Sequence, residues 1–309
     1  MGFITKRYLK DFVCRYDKVV GIPYHQVSDF KGLKEEVYSF INSKGIEINY
    51  FYYYFDNYQE DKILLFLPGI GPGHVSYLKE IATFAERGYK VLTLDYTGCG
   101  YSKGACLASL NNPTSDVIDL LNLLNLKQEI LLMGHSLGGY TALNVINYVK
   151  EIRRAVVISG FLDMKSLLNT FTHSNFITKH LLQYERKINP KYYPLDNINY
   201  LKNTKDDIFI IQSTDDNLAK YSIALEVVEP IKNPHIKKWK FTNKGHNPNY
   251  SDDAVKYMNE VFGKYYQLIK DKKIKTDEDR INYFKDVSLD KLVEQDEAVI
   301  TKIVEFLNA

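Results

Sequence analysis

No charge of one sign dominates this chain: 40 Lys and Arg stand against 38 Asp and Glu over 309 residues, a net charge of +2. That balance excludes the dense surface charge that nucleic acid or an anionic membrane requires of a partner, and it favours a small, near-neutral ligand. Cysteine is scarce as well. Cys14, Cys99 and Cys106 form neither a Cys-x-x-Cys pair nor a His/Cys cluster with metal-ligand spacing, and an odd count gives no closed disulfide framework. A reducing, cytoplasmic setting and the absence of a metal site are therefore expected. Nowhere do about 18 uncharged apolar residues run together, and the opening MGFITKRYLKDFVCRY alternates charge with aromatics where a signal sequence would be apolar. No integral membrane association is expected.

What is present is enough apolar material for one large core, 45% of residues against 25% charged. The 25 tyrosines, many of them in runs such as NYFYYYF, read as sheet packing and compositional bias. Two aromatic-rich strands at 36–42 and 46–55 flank the turn Ser43-Lys44-Gly45 and predict an antiparallel hairpin. Then come short apolar strands at 62–67, 90–96, 129–134, 154–160, 207–213 and 235–241. Most are continuous apolar runs, as strands covered on both faces require, so a mostly parallel sheet with helices on each side follows. Helical patterns fall at 77–87, 113–125, 137–149 and 219–229.

Two connections are too long for simple crossovers. The first, 161–206, predicts a small helical cap inserted in an α/β core whose two parts are 1–160 and 207–309. Its apolar stripe, from Phe161 and Leu162 through Leu181 and Leu182, is expected to pack the cap and in part to roof a site. The second connection starts near 250 and predicts a helical extension before the closing pattern DEAVITKIVEFL.

In such a sheet, ligands gather beyond the carboxyl ends of the strands. Residues 130–140, ILLMGHSLGGY, break a buried strand on a serine fenced by glycines. A capped strand-to-helix turn could look the same, but Gly-x-Ser-x-Gly between an apolar strand and a helical pattern describes an elbow that lifts Ser136 above the sheet as a nucleophile. A hydroxyl attacks only when a base takes its proton and a carboxylate orients that base. Of seven histidines, His135 should point away from the Ser136 hydroxyl, His25 precedes the hairpin, His173 and His180 lie in the cap, and His235 opens a strand. His246, in the glycine-containing loop FTNKGHNPNY after the last strand, is the expected base. For the acid, IIQSTDDNL offers Asp215 and Asp216 directly after a strand, and strand geometry allows only one of them to face the base. Asp163 is a further candidate. The stretch LFLPGIGPGH, 65–74, has glycines that leave amides free to face an oxyanion, together with the amide of Leu137 at the helix start.

These residues resemble the α/β-hydrolase superfamily, in particular its single-domain esterase, lysophospholipase and serine-aminopeptidase-like branch. The resemblance spans about 36–250 and the terminal helix near 296–308, and rests on the elbow, on the order Ser136, Asp216, His246, and on DYTGCGYS at 95–102. It implies the α/β-hydrolase fold, Asp216 as the acid, and Ile70 as the second oxyanion donor. Pro68 stands where histidine is usual, Thr97 where arginine is frequent, and Ser213 where glycine is common. The implied activity is cofactor-free acyl transfer to water from a small-molecule carboxylic ester or thioester. The alternatives are amide or aminoacyl cleavage by the same groups, and a binding protein that kept the fold without the chemistry.

Overall fold

The computed structural model describes residues 2–193 and 195–309. Its eight strands are β1 (Lys34–Ile41), β2 (Glu47–Tyr54), β3 (Lys62–Leu67), β4 (Lys90–Leu94), β5 (Glu129–His135), β6 (Arg154–Ile158), β7 (Asp207–Ser213) and β8 (Ile236–Phe241). They form one sheet in the order β1-β2-β4-β3-β5-β6-β7-β8. The hairpin β1-β2 is antiparallel and joins β4 antiparallel; every pairing from β4 to β8 is parallel. This is the α/β-hydrolase fold that the sequence implied.

The parallel strands are apolar throughout because successive side chains feed two different cores. Ile63, Leu65 and Leu67 of β3 face one cluster, while Leu64 and Phe66 face the other. Ala155 and Val157 against Val156 and Ile158 in β6, and Ile208 and Ile210 against Phe209 and Ile211 in β7, repeat the division.

Among the described residues twelve helices cover the sheet or extend from it: α1 (Phe3–Asp11), α2 (Leu78–Glu86), α3 (Asn112–Leu124), α4 (Leu137–Tyr148), α5 (Met164–Thr172), α6 (Asn175–Ile188), α7 (Asn197–Asn203), α8 (Leu225–Val228), α9 (Asp252–Lys270), α10 (Asp277–Phe284), α11 (Leu289–Leu292) and α12 (Glu297–Asn308). Side chains of α3 and α4 pack into the first cluster, and those of α2 and α12 into the second. The connection from β6 to β7 carries α5, α6 and α7.

The helix expected over 219–229 is a correction. That stretch is a 3-10 turn at Tyr221–Ile223 followed by the single turn α8. The buried Asp216 carboxylate accepts the amides of Leu218 and Ala219, so the chain leaves β7 in a turn that delays the helix. The strand ends near 96 and 160 also stop early, at Leu94 and Ile158. In the other direction, α1 is a helix where the sequence suggested none. Tyr8 of α1 donates to the buried Glu185 of α6, and Thr5 pairs with His180 at 3.0 Å.

The extension after β8 builds a small core of its own from Val261, Tyr265, Phe284 and Leu292. Its base is closed by the buried Lys244, whose ammonium reaches Asp252 at 2.8 Å and Asp296 at 2.9 Å. Lys244 is two residues before His246, so the extension anchors the loop that carries that histidine.

Candidate active site

Ser136 sits between β5 and α4 with φ 57° and ψ −120°. A non-glycine residue in such a conformation costs on the order of 1–3 kcal/mol and persists only where its surroundings impose it. The glycines around it show what does so. A Cβ on Gly134 would lie 2.1 Å from the carbonyl oxygen of Gly138, and one on Gly138 would lie 1.9 Å from that of Leu67. The elbow is therefore sharp because α4 begins pressed against the ends of β5 and β3. Ser136 is half-buried between the buried His135 and Leu137.

The two loops that should carry base and acid meet at the ends of β7 and β8. His246 Nδ1 is 2.7 Å from Asp216 Oδ2, and the Asp216 side chain is fully buried. Gln212 Nε2 donates to the same oxygen at 2.8 Å, while Leu218 and Ala219 amides donate to Oδ1 at 2.8 and 3.0 Å. Four donors hold this carboxylate in place. Asp215 points elsewhere: its Oδ1 accepts from the Ser213 hydroxyl and from the Gly245 amide. Asp163 caps α5 by accepting the Ser166 amide at 2.8 Å. Ser213 thus has its own task at the position where glycine is common, tying the end of β7 to the His246 loop.

His135 is the residue that sequence reading left without a role. Its Nε2 lies 2.8 Å from the His246 carbonyl oxygen, which can only accept, so Nε2 carries the hydrogen. Burial, reinforced by the neighbouring His246, pushes the His135 pKa down to about 3 and keeps the ring neutral. Its Nδ1 is then the acceptor for the Tyr77 hydroxyl at 2.9 Å. The Tyr77 oxygen also lies against Gly69, where a Cβ would stand 2.4 Å from it. Hydrogen bonds run from Tyr77, packed against the glycine loop at 65–74, through His135 of the elbow to the backbone of His246. Tyr77 and His135 are 58 residues apart in sequence, and no local pattern announces their pairing.

The other histidines are engaged away from this constellation. His25 pairs with Asp29, His180 with Thr5, and His235 with Asp207, while His173 ends α5 in a left-handed conformation. His74 pairs with the buried Asp95 at 2.8 Å. Asp95 also takes the amides of His74 and Tyr101, each at 2.8 Å, so the DYTGCGYS turn clamps the glycine loop. Thr97 donates its amide to Asp116 at 2.7 Å, a purely local contact at the position where arginine is frequent.

Ser136, Leu137 and Ile70 open onto one cavity of about 270 Å³, whose walls include Phe161, Leu167 and Phe171. The amides of Leu137 and Ile70 have no hydrogen-bond partner among the described residues. Among those residues there is also no group of three or more His, Cys, Asp or Glu side chains placed to hold a metal ion. No helix among them is long and apolar enough to cross a membrane.

A family model for serine aminopeptidase, S33, matches residues 58–240, which run from just before β3 to the end of β8. The chain belongs to this family of the α/β-hydrolase superfamily. An esterase from Pyrococcus furiosus has a similar structure, with a TM-score of 0.57 and 18% identity over 88% of this chain and 97% of that one. Est1E from Butyrivibrio proteoclasticus, solved with ferulic acid bound, has a TM-score of 0.55 at 16% identity, covering 74% of this chain and 97% of its own. At these identities the likeness concerns the fold. A putative chloroplastic methylesterase from Arabidopsis thaliana is 28% identical over 100 residues, 31% of this chain. The match spans 29% of that relative's length. The family model makes the chain a hydrolase-family member, and its bond type has to be argued from the site.

Proposed function

We propose that this chain is a serine hydrolase that cleaves a carboxylic ester or thioester of an apolar acyl group. One observation carries the reading: a strained serine at the mouth of an apolar cavity shares its end of the sheet with a histidine held by a fully buried carboxylate at 2.7 Å. In the reaction, Ser136 attacks the carbonyl carbon as His246 takes the hydroxyl proton on Nε2. Asp216 fixes the tautomer by accepting the Nδ1 hydrogen and stabilises the imidazolium. The amides of Leu137 and Ile70 receive the oxyanion; a single such donor is worth about 10²–10³ in rate. His246 then protonates the leaving alcohol or thiol, and water, activated by the same base, releases the acid and restores Ser136.

The choice of ester over aminoacyl amide rests on charge. An aminopeptidase substrate brings a free ammonium group that needs a carboxylate. Among the described residues that line the cavity the one carboxylate is Asp11, and Arg7 already pairs with it at 3.2 Å. The test is labelling by a fluorophosphonate probe, followed by a panel of esters, thioesters and aminoacyl anilides with Ser136→Ala as the blank. Labelling at Ser136 and turnover of esters or thioesters support the reading. A wild-type protein that is neither labelled nor active across the panel makes it wrong, and anilide turnover alone moves the assignment to amide cleavage.

A further inference from the structure

The cavity at Ser136 is small. At about 270 Å³ it falls just below the range of roughly 300–1,000 Å³ usual for small-molecule sites. It has a neighbour, however. A second cavity of about 490 Å³ lies between α1 and the helices α5 and α6, walled by Phe3, Ile4, Phe12, Phe171, Ile177 and Leu181. Asp11, Phe12 and Phe171 line both. The rings of Phe12 and Phe171 meet edge to face with centroids 4.5 Å apart, so this pair is the partition between the two spaces.

We propose, resting on the acyl-hydrolase reading above, that the second cavity receives the distal part of a medium- to long-chain aliphatic acyl group, with Phe12 and Phe171 as the gate it passes. The polar side chains of the second cavity are engaged within the protein, with the exposed Arg7 and Asp11 paired to each other. The Tyr8 hydroxyl is given to Glu185, Arg7 Nε pairs with Asp11, and the Thr172 and Thr178 hydroxyls are 2.7 Å apart. Beyond that exposed pair, a sugar or peptide would leave hydrogen-bonding groups without partners against the apolar walls, which is costly. An alkyl chain has none to lose, and it covers apolar surface that otherwise faces water, since Phe3 is 79% and Phe171 41% exposed. The N-terminal helix thereby acquires a function: anchored through Tyr8 and Thr5 to α6, it forms one wall of an acyl channel that leads away from Ser136.

The channel is tested without relying on turnover. Ser136→Ala protein is titrated calorimetrically with butyrate and with dodecanoate below its micelle concentration, then again with Ile177→Trp or Phe171→Ala added. Dodecanoate should bind at least tenfold more tightly than butyrate. Ile177→Trp, which fills the second cavity, should reduce that preference to less than threefold, and Phe171→Ala, which removes half of the partition, should preserve or enlarge it. Equal affinity for the two acids, or a preference that a folded Ile177→Trp protein retains in full, overturns the proposal. Failure of the acyl-hydrolase reading would show in the labelling and turnover experiments and would leave this titration interpretable.

Discussion

His135 Nε2 donates to the backbone carbonyl of His246 across 2.8 Å, so the residue before Ser136 holds the loop of the histidine proposed as its base. The bond fixes a backbone position, and small displacements of a general base are expensive: about 1 Å can cost on the order of 10² in rate. His135→Leu should lower kcat between tenfold and a hundredfold while KM moves less than threefold, because the cavity walls are untouched. Steady-state kinetics on a short ester measure both. A loss confined to KM would remove His135 from the positioning role.

The same residue makes an acid-stability prediction. His135 titrates near 3 in the folded protein, well below the ordinary value of about 6.5, because burial disfavours its charged form. Below about pH 6.5 the unfolded chain takes up a proton that the folded chain refuses. Stability is therefore full above that pH and is lost as the pH falls towards 3. Thermal melts of wild type and His135→Leu between pH 7 and 4 should converge on the acid side, with the wild type losing more. Parallel curves would contradict the assignment.

Asp216 and Asp215 are neighbours in sequence with separate work. Asp216→Asn leaves the imidazole facing an amide that favours the wrong tautomer, and kcat should fall by three orders of magnitude or more. Asp215→Asn loosens the Ser213 and Gly245 contacts and should cost at most about tenfold. The comparison is a kcat measurement on two folded variants. Reversal of the order would transfer the orienting role to Asp215.

The contrast between these residues also shows what a sequence can and cannot disclose. The strands β3 and β7 were legible because both faces of a central parallel strand are buried, which leaves an apolar run with no alternation to misread. Ser136 was legible because steric crowding at the elbow admits glycine at positions two residues away on either side. Asp216 could be told from Asp215 only through the resemblance, since which one faces His246 depends on the turn that the Leu218 and Ala219 amides make around it. That same turn erased the helix expected at 219–229. The spacing of Ile4, Tyr8 and Phe12 did carry a signal for α1, every fourth residue apolar, but it was masked by the charges between them. The pairing of Tyr77 with His135 carried none, because it joins two elements that meet only in the folded sheet.

Glu80 supplies a second pH dependence, of opposite sign. It is buried in α2, accepts the Tyr250 hydroxyl at 2.8 Å, and its pKa is raised to about 7 chiefly by that burial. Between about pH 4.5 and 7 the folded protein keeps a proton that the unfolded chain has lost, so this contribution, on the order of 3 kcal/mol, is present in acid and disappears as the pH rises through 7. Tyr250 lies on the loop after His246, so the contact bears on the site. Glu80→Gln keeps an acceptor for Tyr250 and removes the titration. Its melting temperature should fall less than that of the wild type between pH 5 and 8. An equal fall in both would mean that Glu80 is ionised throughout.

Two glycine substitutions should act in opposite directions. At Gly138 a methyl group would meet the carbonyl oxygens of Leu67 at 1.9 Å and Pro68 at 2.6 Å. Both belong to backbone that cannot rotate aside, and both lie where the glycine loop crosses the start of α4. Gly138→Ala must therefore push the loop with Ile70 away from the Leu137 amide or open the elbow. It should cost more than about 2 kcal/mol of stability and most of the activity. Gly263 is the counterpart: it is exposed within α9, and a Cβ there would meet nothing within 4 Å. Alanine at this position reduces the freedom of the unfolded chain and suits the helix, a gain of about 0.5–1 kcal/mol. Gly263→Ala should melt one or two degrees higher with unchanged kcat, since α9 lies outside the cavity. Thermal melts and ester kinetics on the pair decide the matter: if Gly138→Ala is as stable and active as Gly263→Ala, the close approach of α4 to the glycine loop is not what shapes the elbow.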